Sequence, residues 1–355
     1  MSYSDARKAA FKEELQPMLH ISAISGTEEP LLEYLASASA PYCREVYEDG
    51  FGNVVCHVGG QGKKLMLCAH ADEIGLLVKS ISDDGFLYFQ KIGGIIDKQM
   101  EARQVVVDGH IPGIIGCKPV HMMTEKERAT VTPSEDLFID VGCSSREEVA
   151  ALGIEIGSYA SMRYNYMELA NPDLMCCRSL DDRVGCAIFL ELMKQLDPAD
   201  LAYDLYLVYT RQEEVGLRGA QAAANGLEPD YAIAVDTVPC GDVPGVNYKR
   251  DLPVQLGHGF VLSITESRTA FASHKLLRQI KSIAKEQELP MQVAALAGMA
   301  GTDSTAISVN GKGTRTATTT VPRRYSHSAC ELMDVNDVLA LEDMLLCFVQ
   351  TPIQE

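Results

Sequence analysis

Five short stretches carry side chains that could do chemistry: His70 with Asp72, Asp181 with Asp182, Glu213 with Glu214, Asp236, and His327. Imidazole and carboxylate are the donors that divalent ions such as zinc accept. The chemistry that fits the whole set is hydrolysis at a pair of ions. Two such ions bring four positive charges, and one carboxylate must bridge them. Asp181 is the expected bridge, fixed where a helix begins. His70 and Asp236 then complete the protein ligands of one ion, and Glu214 and His327 those of the other. The three carboxylates supply three negative charges, and a hydroxide between the ions supplies the fourth. Metal binding brings the pKa of water down to ~7, so hydroxide is available at neutral pH. Asp72 is expected to accept the free ring N–H of His70 and set its tautomer. Glu213 neighbours a ligand but is not needed for the charge balance. It is the candidate general base, taking the water proton and passing it to a leaving amine.

Each stretch alone has a plainer explanation. A His-x-Asp pair is commonly a surface or core hydrogen bond, and Asp181 and Asp182 suit a helix N-terminus through the macrodipole. Glu213–Glu214 could be a solvated corner, Asp236 a turn cap, and His327 a satisfied core histidine. Their placement argues against coincidence. His70 follows the apolar run Leu65–Cys68, Glu213 follows Leu205–Tyr209, Asp236 follows Tyr231–Val235, and His327 follows the β-rich Thr316–Val321. Asp181 opens a helix with Val184, Ile188, Leu192 and Leu196 on one face. Ligands of open α/β sheets bind beyond the carboxyl ends of strands, so polar groups from several ends converge on one edge.

The rest of the chain supplies those elements. Residues 5–35 read as helices, 53–58 and 64–69 as strand, turn, strand. From about Ile74 to Tyr166 the texture changes: short apolar runs are broken by Asp83-Asp84-Gly85, Gly93-Gly94, Asp108-Gly109 and Pro112-Gly113. These are hairpin and turn signals, and they predict a small all-β insert. Strand and helix then alternate again, as βαβ units do, with further helices over 275–287 and 335–349.

Composition narrows the function. The 355 residues hold 31 Lys+Arg against 49 Asp+Glu, a formal charge of −18. That excess argues against nucleic acid, whose phosphates need cations, and against anionic lipid. No apolar run approaches the ~18 residues of a membrane helix, and the start at Met1 shows no apolar stretch or small-residue cleavage site of a signal peptide. Eleven cysteines without a CxxC suit free thiols in a reducing cytoplasm.

Six stretches, Ala69–Gly75, Leu180–Gly185, Gln212–Gly216, Val235–Thr237, Gly301–Ser304 and Arg324–Ser328, together resemble the tetrahedral aminopeptidases, a family that includes glutamyl and deblocking aminopeptidases. They span most of the chain in family order. The resemblance implies a cytoplasmic exopeptidase acting on short peptides with two zinc or cobalt ions per subunit. It implies an α/β fold: a three-layer α/β/α catalytic domain, residues 1–73 and 167–355, interrupted by a small β-barrel at 74–166 that serves assembly. It also implies dimers built into a hollow dodecamer. The family roles fall as the charge argument assigns them: His70 and Asp236 on one metal, Glu214 and His327 on the other, Asp181 bridging, Glu213 the base. Gly301–Ser304 looks like a loop lining the substrate site, though a plain turn explains it too. The chain departs from the family at Ala71, at Ile95–Ile96, at Leu256–Phe260 and at the doubled Arg323–Arg324.

Two other readings compete. Glu213 and Glu214 could be the acid and base of a glycoside hydrolase, which leaves both histidines and Asp236 unexplained in a chain without Trp to stack on sugars. The chain could also be an inactive protein that only assembles. As for the peptide's first residue, Arg323, Arg324, Lys312 and Arg250 could welcome an acidic side chain, and ordinary surface charge explains them equally well.

Overall fold

The computed structural model describes residues 3–267, 270–296 and 301–353. Its larger sheet runs, in spatial order, Glu45–Glu48, Val54–Gly59, Asp204–Thr210, Lys64–His70, Tyr231–Pro239, Arg315–Arg323, Phe260–Glu266 and Ala270–Phe271, with Met291–Ala295 on a branch beside Phe260–Glu266. The four strands from Asp204–Thr210 to Arg315–Arg323 are mutually parallel, and their neighbours on either side are antiparallel to them. The strand, turn, strand expected over 53–69 forms, but it is no hairpin: Asp204–Thr210 pairs between its two arms.

Parallel strands are covered on both faces, so they read as unbroken apolar runs. Lys64–His70 shows why. Alternate residues point to opposite faces. Leu65, Leu67 and Ala69 join the cluster built by Val184, Ile188 and Leu192 of the helix Leu180–Gln195, while Met66 and Cys68 join Ala220, Ala223 and Ala224 of the helix Arg218–Leu227. One sheet between two helical layers follows directly. The helix Leu180–Gln195 is buried almost all round, since the helices Asp5–His20 and Val335–Gln350 cover its outer side.

Six antiparallel strands close a separate barrel: Gly75–Ile81, Leu87–Ile92, Phe138–Asp140, Ile111–Gly116, Gln104–Val107 and Tyr159–Met162. Its inward residues, among them Leu76, Leu87, Phe89, Val105, Ile115 and Ile139, form their own core. Along 87–90 and Ile111–Gly116 burial alternates residue by residue, as a closed barrel requires. Two short helices, Glu125–Ala129 and Arg146–Ala151, interrupt the stretch where helical periodicity was not expected. Five or six residues are too few to show a period, and capping residues start both, Thr124 in a capping box with Glu127 and Ser145. A three-stranded sheet, Met167–Glu168, Leu174–Cys177 and Glu331–Asp334, completes the fold.

The segment leaving His70 for the barrel is anchored by buried charge. Glu73 is 2% exposed and accepts from Arg178, Ser179 and the Ala23 amide (2.8 Å), with Arg183 3.4 Å away. Burial opposes its charge, yet the two guanidinium groups hold its carboxyl below the usual range. All eleven cysteines are free thiols. Among the described residues no helix is long and apolar enough to cross a membrane.

Candidate metal centre

At the carboxyl ends of the parallel strands, each element delivers one polar group. His70 is the last residue of its strand, and Asp236 lies inside Tyr231–Pro239 rather than after it. The parallel register explains the offset, because the Tyr231–Pro239 strand runs on beyond the end of its neighbour. Glu213 and Glu214 follow the strand ending at Thr210. Gln212, just before them, takes a left-handed φ of 56°, which breaks the two-residue alternation of a strand, and both glutamates line the cleft. Glu28 fixes that turn by accepting from the Gln212 amide (3.2 Å) and from Arg211 (2.9 Å).

Asp181 does not open the helix as expected. It and Asp182 have non-helical dihedrals, φ −81° and ψ 110° for the first, φ −115° and ψ 44° for the second. Asp182 acts as the helix cap, its Oδ1 accepting from the Gly185 amide at 3.0 Å. That frees Asp181 to face the cleft. Its Oδ1 lies 3.3 Å from His70 Nε2 and accepts from the Thr237 hydroxyl (2.9 Å); its Oδ2 lies 3.4 Å from His327 Nε2 and meets Arg323.

Two groups of donor atoms therefore share Asp181: His70, Asp181 and Asp236, and Asp181, Glu214 and His327, the atoms in each lying within 4.8 Å of one another. A third such group is His70, Glu213 and Glu214. His70 Nε2 is 3.9 Å from Asp236 Oδ1, and His327 Nε2 is 3.4 Å from Glu214 Oε1. Any of these mixed nitrogen and oxygen sets suits a divalent ion.

Asp72 does more than face His70. The His70 Nδ1 atom bonds the Asp72 backbone carbonyl at 3.1 Å, with the carboxylate 3.4 Å away. The Asp72 carboxylate accepts from the amides of Glu213 (3.0 Å) and Glu214 (3.1 Å) and from the Ser25 hydroxyl (2.6 Å). One buried side chain thus ties the His70 strand to the two glutamates. Glu331, which sequence reasoning missed, plays the same part opposite: it accepts from Arg323 (2.6 Å), from the His327 amide (3.0 Å) and from the Asp181 amide (3.0 Å). The barrel reaches the site through Gly94, whose carbonyl lies 3.4 Å from His327 Nδ1; a side chain there would collide with that ring at 2.6 Å.

The electrostatics show a site short of positive charge. Burial, reinforced by neighbouring carboxylates, pushes Glu213 and Asp236 well above the usual carboxyl range and Glu214 up to about 7. Burial works against a charged imidazole, but Asp181 and Glu214 overcome it and raise His327 to about 9; Asp181 and Asp72 raise His70 in the same way. Asp181 is held well below its usual range, since Arg323, His327 and His70 outweigh its burial. Carboxyls pushed upward by burial among like charges are groups that cations would satisfy, and the donor types match. The residues present fit a pair of divalent ions.

The cleft has a volume of about 420 Å³ and is lined by Asp181, Glu213, Glu214, Asp236 and His327, with Gly301 and Thr302 on its wall. A covered α/β sheet beside a closed barrel, with carboxylates and imidazoles gathered in one cleft at the strand ends, defines an α/β protein with a candidate metal centre. A model of the M42 glutamyl aminopeptidases matches residues 52–344. The chain belongs to that family. It is 35% identical over 343 residues to the putative aminopeptidase FrvX of Escherichia coli, covering 96% of this chain and 95% of that one. It superposes on aminopeptidase APDkam598 from Desulfurococcus kamchatkensis with a TM-score of 0.92 at 34% identity, covering 98% and 96% of the two chains. Against the TET1 peptidase of Pyrococcus horikoshii, described as assembling into a tetrahedron or a large octahedral shell, the TM-score is 0.85 at 32% identity, with 96% and 99% covered.

Proposed function

We propose that the protein is a cytoplasmic, metal-dependent aminopeptidase that removes N-terminal residues from short peptides with two divalent ions, zinc or cobalt. The observation that carries this reading is the pair of imidazole–carboxylate groups that share Asp181, with Glu213 beside them in one cleft. His70 and Asp236 hold one ion, Glu214 and His327 the other, and Asp181 serves both. The eleven free thiols suit a reducing compartment.

When bound, the ions supply Lewis acidity and lower the pKa of water. The chain's own residues do the rest. Glu213 takes the proton of the attacking water on its carboxylate and returns it to the leaving amine. Burial, with acidic neighbours, raises its proton affinity, and two cations nearby would lower it again. Asp72 orients His70 and both glutamates at once. Arg323 and Glu331 fix Asp181 and His327.

Removal of metal is the direct test. Dialysis against a chelator is expected to abolish hydrolysis of aminoacyl anilides, and zinc or cobalt to restore it. Undiminished turnover in protein that elemental analysis finds metal-free would overturn the reading. A carboxylate-pair glycosidase, by contrast, would keep its activity.

We also propose that residues 74–166 form a domain inserted between the catalytic halves 1–73 and 167–355, and that it joins copies of the chain as dimers within a dodecamer. Exposed apolar side chains on it, Ile114, Val120, Met122 and Ile156, support an interface. Light scattering is expected to give twelve times the mass of one chain. A single-chain mass at working concentration would count against the assembly.

A further inference from the structure

The catalytic reading leaves one carboxylate of the cleft unused. Glu266, 5% exposed, lines the same cleft as Asp181 and Glu213. It accepts hydrogen bonds from three neutral hydroxyls, those of Thr302 (2.8 Å), Thr318 (2.7 Å) and Ser304, and among the described residues no Lys or Arg pairs with it. Arg323 is the one Lys or Arg among the described lining residues, and Asp181 and Glu331 occupy it. A carboxylate buried without a cation is costly, and a ligand that brings positive charge recovers that cost.

We propose that Glu266 selects a basic side chain, lysine or arginine, at the first residue of the peptide. The inference rests on the aminopeptidase reading of the cleft and deepens it. The cleft that Glu266 lines matches such a side chain in two ways. Val238, Pro239 and Leu296 offer apolar surface for a methylene stem. Ser263 and Thr320 line the cleft, and their hydroxyls, buried in its wall, have no hydrogen-bond partner; a small side-chain movement would offer them as acceptors to an ammonium with three N–H donors. The cations that could have welcomed an acidic residue are engaged. Arg323 is held as above, Arg324 pairs with Asp242 (2.6 Å), Arg250 with Asp251 (2.6 Å) and Lys312 lies 3.8 Å from Glu228.

The test needs no catalysis in its first arm. Calorimetry on the metal-loaded full chain compares L-lysine with L-norleucine, which lacks only the terminal ammonium. Lysine is expected to bind more tightly by roughly tenfold or more, the range of a hydrogen bond to a charged group. Glu266→Gln should erase that preference, and Ser263→Ala should reduce it. The second arm measures kcat/KM for lysyl, leucyl and glutamyl anilides, and the lysyl-to-leucyl ratio should fall with the binding preference, chiefly through KM. Equal affinity for lysine and norleucine overturns the proposal. So does an equal weakening of both by Glu266→Gln, which would place Glu266 on the substrate α-amine. If Glu266→Gln fails to fold, Ser263→Ala and Thr320→Val carry the comparison, and an unchanged lysine preference in both is then the overturning result. Should lysine be preferred while no anilide is cleaved, the aminopeptidase reading fails and the subsite stands. Should leucyl or glutamyl anilide be cleaved in preference, the subsite fails and the activity stands.

Discussion

Glu213→Gln is expected to lower kcat on aminoacyl anilides by ~10²–10⁴-fold, the usual contribution of a general base, while the protein keeps both metal ions. The substitution preserves shape while removing the negative charge and the acceptor for a proton. The backbone at this position is held independently of the side chain, because the Glu213 amide donates to Asp72 at 3.0 Å. The cleft should therefore keep its form. The metal measurement decides between two roles, since Glu213 also stands with His70 and Glu214 in a group able to hold an ion. A base lost without loss of metal lowers kcat and leaves KM nearly unchanged. If elemental analysis finds an ion missing from Glu213→Gln, Glu213 is a ligand and the base lies elsewhere. A fall smaller than about tenfold would equally remove it from that role.

The sequence exposed some of this arrangement and concealed the rest for physical reasons. Runs such as Leu65–Ala69 and Tyr231–Val235 are legible because strands buried on both faces must be apolar throughout. The polar residue after such a run then stands out, which is why His70, Glu213 and Asp236 are legible in the sequence. Texture also marked the barrel, since close turns leave glycine and aspartate at short intervals. What stayed hidden depends on contacts between distant segments. Nothing near Glu331 in sequence shows that its carboxylate gathers Arg323, His327 and Asp181. Nothing near Asp72 shows that it holds the Glu213 and Glu214 amides across 141 and 142 positions. The Asp181–Asp182 pair misled in a different way. Acidic residues at a helix start are equally at home as caps or as ligands, and only the backbone separates them, with Asp182 capping and Asp181 turned to the cleft. Glu266 is hidden for a similar reason: it ends an ordinary strand, and that no Lys or Arg among the described residues pairs with it is visible only once Thr302, Ser304 and Thr318 surround it.

Asp181→Asn should strip metal from both positions, a larger effect than any single-ion ligand could produce. The two carboxylate oxygens serve different neighbours, Oδ1 toward His70 at 3.3 Å and Oδ2 toward His327 at 3.4 Å. An amide keeps the size but replaces one acceptor by a donor and removes a full negative charge. Whichever way the amide turns, one donor group loses its oxygen, and both lose the charge that would hold two cations close together. The fold is expected to survive, because Arg323 keeps Glu331 as a buried partner at 2.6 Å and the helix keeps its cap at Asp182. Elemental analysis should therefore fall from about two ions per chain to less than one, with peptidase turnover lost and the circular dichroism spectrum retained. Replacement of Asp236 or of His327 should by comparison weaken one position and leave the other occupied, since each belongs to one of the groups that share Asp181. That contrast is what makes the variant informative. About two ions in Asp181→Asn would show that the sites are filled independently, and the shared carboxylate would then be a neighbour of the centre, not its bridge.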